Sequence, residues 1–587
     1  MAKLVAILSL VLFAAGCSRT PSDQFARLSE EFVNTTLSFS PAMATSVGLH
    51  RYEGQNLDNL LDDTSPASLD KQRHYYEHFR ERLAALDASQ LTAEDQADLN
   101  ILQDQISLAL LDLNELHSHL TNPTLYVETL GNALFSPYVL EYAPLAARFR
   151  NIIARLQKTS FFLDQASTNL TSSPAVWTKV AMEENEGNIG LVDKTMRAAV
   201  PPELRDAYTL AALSALDAMR KFQDYLKNSL SSRDDTAWRM TSDRYMRKFR
   251  YTLDSGVETD TMLQMAEREL ARVRAEMLEL ALPLHRQIAP AHKDHAELSG
   301  ADRENQVIGE TLAKIAERHS TRESYMDDAR SDLDEARAFV REKGLLTLPS
   351  RKNLQVIPTP EFMRGVYSVG GFSAAPALEP RLGAFYWVTP IPADWAAERV
   401  ESKLREYNFY KLKLLTIHEA MPGHYVQMEI ANDVQPESRR VLRSLFGNGA
   451  YVEGWGEYAT QMLLDAGFLD RSPEMALTFA KEKLRVIANA ILDVRLHILN
   501  MTDQEALELM EKQTFQEEEE ATEKLQRAKL SSCQLPMYFV GWSAWLHLRD
   551  QYGRTHASSS QSSFNDRALK EGAVPLPALT HLLLISP

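Results

Sequence analysis

Apolar residues recur every three to four positions through most of this chain, with Leu, Ala, Glu, Arg and Lys filling between them. That spacing predicts helices over about 70–120, 145–170, 203–230, 258–283, 306–342, 396–417, 436–465, 473–500, 503–529 and 538–552. Nearer the start, QFARLSEEFVNTTLSF places Phe25, Leu28, Phe32 and Leu37 near one helical face. No fixed-period repeat signals a solenoid. One stretch departs from the pattern: LQVIPTPEFMRGVYSVGGFSAAPALEPRLGAFYWVTPIP is rich in Pro, Gly, aromatic and β-branched residues. It predicts a small β-sheet near residues 354–392, with GAFYWVTP as its best strand. After Tyr552 a Ser-rich stretch, ASSSQSS, predicts a loop before a last short helix. The fold class is mainly α.

The first residues follow a different rule. MAKLVAILSLVLFAAGC carries a Lys at position 3 and an apolar run from Leu4 to Ala15, too short to span a bilayer comfortably and laid out as a secretory signal. Its end, Ala14-Ala15-Gly16-Cys17, resembles the lipobox of bacterial lipoproteins, which implies a lipid on Cys17; the other reading is an ordinary signal peptide with a chance cysteine. The expected organisation is a signal peptide over 1–16, an anchor linker over 17–24 and a single domain over 25–587. That domain has a helical N-terminal part to about 350 and a metal-site part from about 351. The expected location is the bacterial cell envelope, anchored to a membrane and facing the periplasm or exterior. Cys533, the only other cysteine, has no intrachain partner. With 63 basic against 80 acidic side chains, a net charge of −17 argues against nucleic acid as a partner.

Chemistry concentrates in HEAMPGH, His418 to His424. In HExxH the two histidines stand one turn apart and face one metal; a spacing of six rotates the second by roughly 240° on a continuous helix. Pro422 and Gly423 supply a way out, because Pro lacks a donor N–H and Gly tolerates unusual backbone angles. A break after Met421 would turn His424 back beside His418. A third ligand is available in YVEGWGEYATQMLL, where Glu453 and Glu457 share a helical face and are the only charged residues from Ser444 to Leu464. Two such carboxylates are costly to bury alone, and a cation with its imidazole ligands stabilises them; the alternative is a solvated polar face opposite an aromatic stripe.

IHEAMPGHYVQ (417–427) and VEGWGEYA (452–459) together resemble the bacterial "domain of unknown function 885" family, as do PAMATSVGLHRY, LGAFYWVTP, LDVRLHILNMTDQEALELM and GAVPLPAL more weakly. That family is similar to the gluzincin peptidases of the thimet-oligopeptidase, angiotensin-converting-enzyme and carboxypeptidase Taq groups. The resemblance implies a large multi-helix fold around a deep cleft. It also implies one zinc ion held by His418, His424 and Glu453, with Glu419 as general base and Glu457 holding a ligand imidazole from behind. His497 matches a recurrent His in an Asp-Thr-Gly-x-His element, of which Asp493 is kept while Val494 and Arg495 depart. Gln534 and Tyr538 match a Pro-Gly-Gln-x-x-x-Tyr element, with Ser532 and Cys533 in place of Pro-Gly.

The implied function is a zinc metallopeptidase cleaving short peptides through a zinc-bound water activated by Glu419. Tyr538 is the first candidate donor to the developing oxyanion and His497 the second. The GAFYWVTP strand could offer its edge to an extended peptide. Two other readings stand beside it: a zinc amidase or esterase acting on a non-peptide substrate, and a lipid-anchored binding protein with a non-catalytic metal site. His285, His292 and His295, in LHRQIAPAHKDH, read as a surface loop and not as a metal site; Glu517 to Glu520 read as a solvated helix face.

Overall fold

A computed structural model describes residues 20–234, 236–360, 363–364 and 369–584; Cys17 and the signal segment lie outside them. Of its residues 72% are helical and 4% lie in strands, so helices carry nearly all of the packing. Among the described residues no helix is long and apolar enough to cross a membrane. The amphipathic stripe at the start forms the Pro21–Phe39 helix, capped by Thr20 and Asp23 in a reciprocal box and buried through Phe25, Phe32, Val33 and Leu37.

The largest apolar core among the described residues takes in Ala97 and then runs from Trp238 to Leu583, joining residues from both sides of position 350. Helix α1 (Thr259–Ile288) buries Met262, Ala266, Val273, Met277 and Ala281 in it, and packs against α2 (Gly300–Ile315). Three strands follow: β1 (Leu354–Pro358), β2 (Gly370–Ser373) and β3 (Ala384–Val388). Their order is β1-β3-β2, parallel between β1 and β3 and antiparallel between β2 and β3. The GAFYWVTP strand is therefore central, with both edges hydrogen-bonded and all five of its residues buried. This corrects the expectation that its edge is open to a peptide; the two outer edges of the sheet belong to β1 and β2.

Beyond the sheet lie α3 (Phe409–Glu419), α4 (His424–Ala431), α5 (Gly449–Asp465), α6 (Pro473–Ile498), α7 (Glu518–Leu530) and α8 (Pro536–Thr555). The α5–α8 pair is the tightest of these. A Cβ on Gly454 would lie 2.3 Å from the Gly541 carbonyl carbon, and one on Gly541 would lie 1.9 Å from the Ala450 oxygen, so both glycines are needed for the helices to approach. Around that contact Trp455, Tyr458 and Trp545 cluster with ring centroids 5.1–5.7 Å apart, Tyr458 stacked on Trp545 and Trp455 edge-on to it. Removing one such buried ring costs on the order of 3–5 kcal/mol.

Several helices escape the spacing rule. Thr124–Val139 buries Tyr126, Val127, Leu130, Gly131, Ala133, Leu134 and Ser136 on more than one face, so no polar stripe marks it. The Ser-rich stretch after Tyr552 is partly helical, and two helices follow the loop, Gln561–Lys570 and Leu576–Leu584. The acidic run Glu517–Glu520 is not wholly solvated: Glu520 is buried and accepts from Tyr407 at 3.2 Å, and Glu519 pairs with Arg399.

Candidate metal centre

α3 begins at Asn408, whose side chain accepts from the N–H groups of Tyr410 and Lys411, and its apolar residues Leu412, Leu414 and Ile417 drive it into the core. It ends at Glu419. The chain then turns through Ala420 to Gly423, with a cis Met421–Pro422 bond, and α4 starts at His424. The backbone stays satisfied through the turn: Met421 N–H donates to Thr416 O at 3.2 Å and Gly423 N–H to Ile417 O at 2.9 Å. Gly423 stands just before α4 at φ −69° and ψ −131°. A Cβ on it would fall 1.8 Å from the His418 carbonyl oxygen, so no other residue fits. Trp455 from α5 locks the turn, its indole N–H donating to Pro422 O at 3.0 Å and reaching Gly423 O at 3.3 Å.

The break brings the two histidines face to edge, with ring centroids 4.7 Å apart and planes at 86°. Glu453, on the first turns of α5, sets one oxygen 3.5 Å from Nε2 of His418 and 3.5 Å from Nε2 of His424. One donor atom from each of the three residues lies within 4.8 Å of the others, a group that could hold a metal ion. Behind His418, Glu457 places Oε1 3.5 Å from Nδ1. Behind His424, Gln427 lies 3.4 Å from Nδ1 and reaches back toward Tyr451 O. A Cβ on Gly456 would sit 2.6 Å from the His418 ring, so the second glycine of VEGWGEY makes room for the imidazole.

The group lines one wall of a cavity of about 640 Å³, together with Glu419, Phe372 of β2 and Tyr538 of α8. The Tyr538 ring stacks 6.3 Å from His418. Burial, then the Glu453 charge, push its phenol well above the ordinary range, so it stays a proton donor. Burial pushes His418 down, but the Glu453 bond and the charges of Glu457 and Glu419 outweigh it and lift it to about 9. Burial pushes Glu453 up, and its bonds to His418 and His424 outweigh that and hold it well below the usual carboxylate range. Glu457 is raised by burial.

His497 and Asp493 are placed elsewhere, which corrects their expected part in this site. His497 is buried between Trp238 and Tyr245, with Nε2 at 3.1 Å from Ala528 O and 3.0 Å from Ser531 O, and so fastens α6 to the end of α7. Asp493 accepts from the Tyr245 hydroxyl at 2.5 Å and the Cys533 N–H at 2.8 Å. The retained Asp-x-x-x-His spacing thus serves helix packing. Sequence reasoning also passed over the cavity floor, where Lys411 and Arg485 both pair with Glu482; these cations come from distant segments and no local pattern announces them.

The surface-loop reading of the other histidines holds only in part: His292 is half exposed in the turn Pro290–His295. His285, His292, His295 and Glu310 bring one donor atom each within 4.8 Å of one another. His285 is not on a surface loop: it sits in the last turn of α1 and is fully buried. The signal available was three histidines within eleven residues followed by an acid on the next helix.

A mainly α chain with a histidine–carboxylate group on its cavity wall is what fold and site define. The chain belongs to the family described as bacterial protein of unknown function (DUF885), which matches residues 41–583. Among the solved structures that resemble it are two each described as a "putative lipoprotein". The one from Shewanella oneidensis, of unknown function, is 26% identical with a TM-score of 0.76, covering 95% of this chain and 99% of that one. The one from Colwellia psychrerythraea is 18% identical with a TM-score of 0.75, covering 96% and 98%. Metallocarboxypeptidase 1 of Trypanosoma cruzi aligns over 95% of this chain and 91% of its own at 11% identity and a TM-score of 0.37, too low to carry an argument. No curated protein matches the chain.

Proposed function

We propose that the protein is a zinc-dependent hydrolase, and specifically a metallopeptidase acting on short peptides. The observation that carries the reading is the convergence of His418, His424 and Glu453 on one point of a cavity wall that also carries Glu419. The donors fit zinc in kind: two imidazoles and one carboxylate leave a coordination position open, as catalytic zinc requires. They fit in spacing as well. At 3.5 Å the Glu453 contacts are long for charge-assisted hydrogen bonds, but close to the roughly 3.4 Å between neighbouring donors about 2.1 Å from a shared tetrahedral ion.

Zinc held there supplies Lewis acidity and acidifies water. Every other part belongs to the chain. Glu419 takes the proton of the attacking water and passes it to the leaving amine. Tyr538, kept protonated by its buried setting, donates to the carbonyl oxygen as charge develops on it. Glu457 orients the His418 imidazole. The free edge of β2, whose Gly370, Gly371 and Phe372 line the same cavity, offers main-chain hydrogen bonds to an extended peptide. We infer further that Cys17 carries the lipid that anchors the protein to a membrane of the bacterial envelope, facing the periplasm or exterior.

The test measures bound zinc and hydrolysis of a mixed peptide library for the wild type and Glu419→Gln. Turnover falls by about 10²–10⁴-fold in the variant while its zinc content stays at the wild-type level. Peptide cleavage that survives the substitution sinks the mechanism. Full zinc occupancy with no peptide turnover in the wild type shifts the reading to an amide or ester in another class of substrate.

A further inference from the structure

At the other end of the large core, α1 delivers His285 from its last turn, and the chain then doubles back through Pro290–His295. Three consecutive non-glycine residues, Lys293, Asp294 and His295, hold φ of 47°, 54° and 50°. Left-handed backbone is unfavourable for such residues, and a run of three persists only where the surroundings dictate it. Its effect is to aim His292 and His295 back at His285, with ring centroids 5.2–6.1 Å apart. Glu310, on α2, meets all three rings with one oxygen: Oε2 is 3.0 Å from Nε2 of His285, 2.7 Å from Nδ1 of His292 and 3.2 Å from Nε2 of His295.

Hydrogen bonding alone leaves this arrangement incomplete. Nε2 of His295 is buried and has no hydrogen-bond partner, its contact with Glu310 being close but misaligned. His295 is only 9% exposed, so water does not readily supply the missing partner. The other groups around the cluster prepare it as ligands are prepared. Asp294 stands 3.2 Å from Nδ1 of His285 and is itself held by Arg286 at 2.6 Å, while Gln306 donates to the second Glu310 oxygen at 2.9 Å. A carboxylate behind a ligand imidazole fixes its tautomer and leaves the far nitrogen as a lone-pair donor.

We propose that His285, His292, His295 and Glu310 form a second metal site, closed by four protein donors, that takes a divalent first-row transition ion such as zinc. Three imidazoles and one carboxylate favour such an ion over magnesium or calcium, which prefer oxygen donors. Four protein ligands leave no position for substrate, so the ion is structural and ties the end of α1, the turn after it and α2 together. The half-exposed His292 ring marks the side from which the ion enters. This site shares no residue with the His418 group, and its existence does not depend on the hydrolase reading.

The experiment strips the full-length protein with a chelator, dialyses it against zinc, and counts metal per chain by plasma mass spectrometry. The wild type takes up two zinc ions. The His292→Ala/Glu310→Gln variant, altered at two partly exposed positions, takes up one and loses the zinc-induced rise in melting temperature. The His418→Ala/His424→Ala variant also keeps one, and loaded with cobalt it shows the visible absorption of a tetrahedral ion. Circular dichroism of each variant establishes that it is folded. A folded His292→Ala/Glu310→Gln protein that binds as much zinc as the wild type overturns the proposal. So does cobalt bound to the His418→Ala/His424→Ala protein with no tetrahedral spectrum. Failure of the hydrolase reading looks different: one zinc in the wild type, lost on changing His292 and Glu310.

Discussion

At the break between α3 and α4, two imidazoles and one carboxylate meet on a cavity wall; at the end of α1, three imidazoles and one carboxylate meet near the surface. Each group has an acid behind one of its histidines, Glu457 behind His418 and Asp294 behind His285. The difference is one donor and one neighbour. The first group is short of a fourth protein ligand and has Glu419 beside it, whereas the second fills its fourth place with a third imidazole and has nothing to act on. Incomplete coordination beside a base is the arrangement for chemistry, and complete coordination is the arrangement for holding a fold together.

After the loss of Glu419, the largest effect that sharpens this contrast comes from Tyr538→Phe. The first group alone has a phenol beside it on the cavity wall, and under the proposed mechanism the loss of that hydroxyl should lower kcat by about 10²–10³-fold. KM and total zinc should stay at wild-type values. An equal fall in zinc content would place Tyr538 among the supports of the metal and remove it from the chemistry.

Gly423→Ala attacks the same group through the backbone. The added methyl meets the His418 carbonyl at 1.8 Å, so the turn must open and carry His424 away from Glu453. The expected cost is about 3 kcal/mol in denaturant unfolding and about 10²-fold in turnover from misplaced ligands, with zinc retained at the His285 group. A variant that unfolds normally and keeps both ions would show that the break is not what sets the ligand geometry.

How much of this was readable beforehand follows from where each signal lies. HEAMPGH and VEGWGEY are local: the six-residue spacing, the Pro-Gly pair and two carboxylates without neighbouring cations are visible in short stretches, and the structure brings His418, His424 and Glu453 together. The long amphipathic helices were equally legible, because one face is polar. Thr124–Val139 was not, because burial on several sides erases the stripe. The central position of β3 was hidden because its pairing with β1 and β2 is decided by residues far away in sequence. His497 misled because an Asp-x-x-x-His spacing looks the same whether it serves chemistry or packing. The convergence of the His285 group was hidden for a different reason: its geometry depends on three left-handed residues that carry no glycine to announce them.

The smallest effects test whether the two acids behind the imidazoles do the same work. Glu457 faces Nδ1 of His418 at 3.5 Å and Asp294 faces Nδ1 of His285 at 3.2 Å. In each case the proposed part of the carboxylate is to hold the ring so that Nε2 points at the shared centre, and its removal leaves all direct donors in place. Glu457→Gln should therefore weaken zinc at the first group by about 10–100-fold, and Asp294→Asn should do the same at the second. Zinc titration against a competing chelator reads both, and each change should leave the other group's affinity untouched. The consequences should then part company. Weakened zinc at the His418 group lowers turnover at limiting metal without moving the melting temperature of the fully loaded protein. Weakened zinc at the His285 group lowers the melting temperature at limiting metal and leaves turnover per folded molecule alone. If either substitution moves both readouts together, the two groups are coupled through α1 and α6, and the division between a reacting site and a fastening one does not hold.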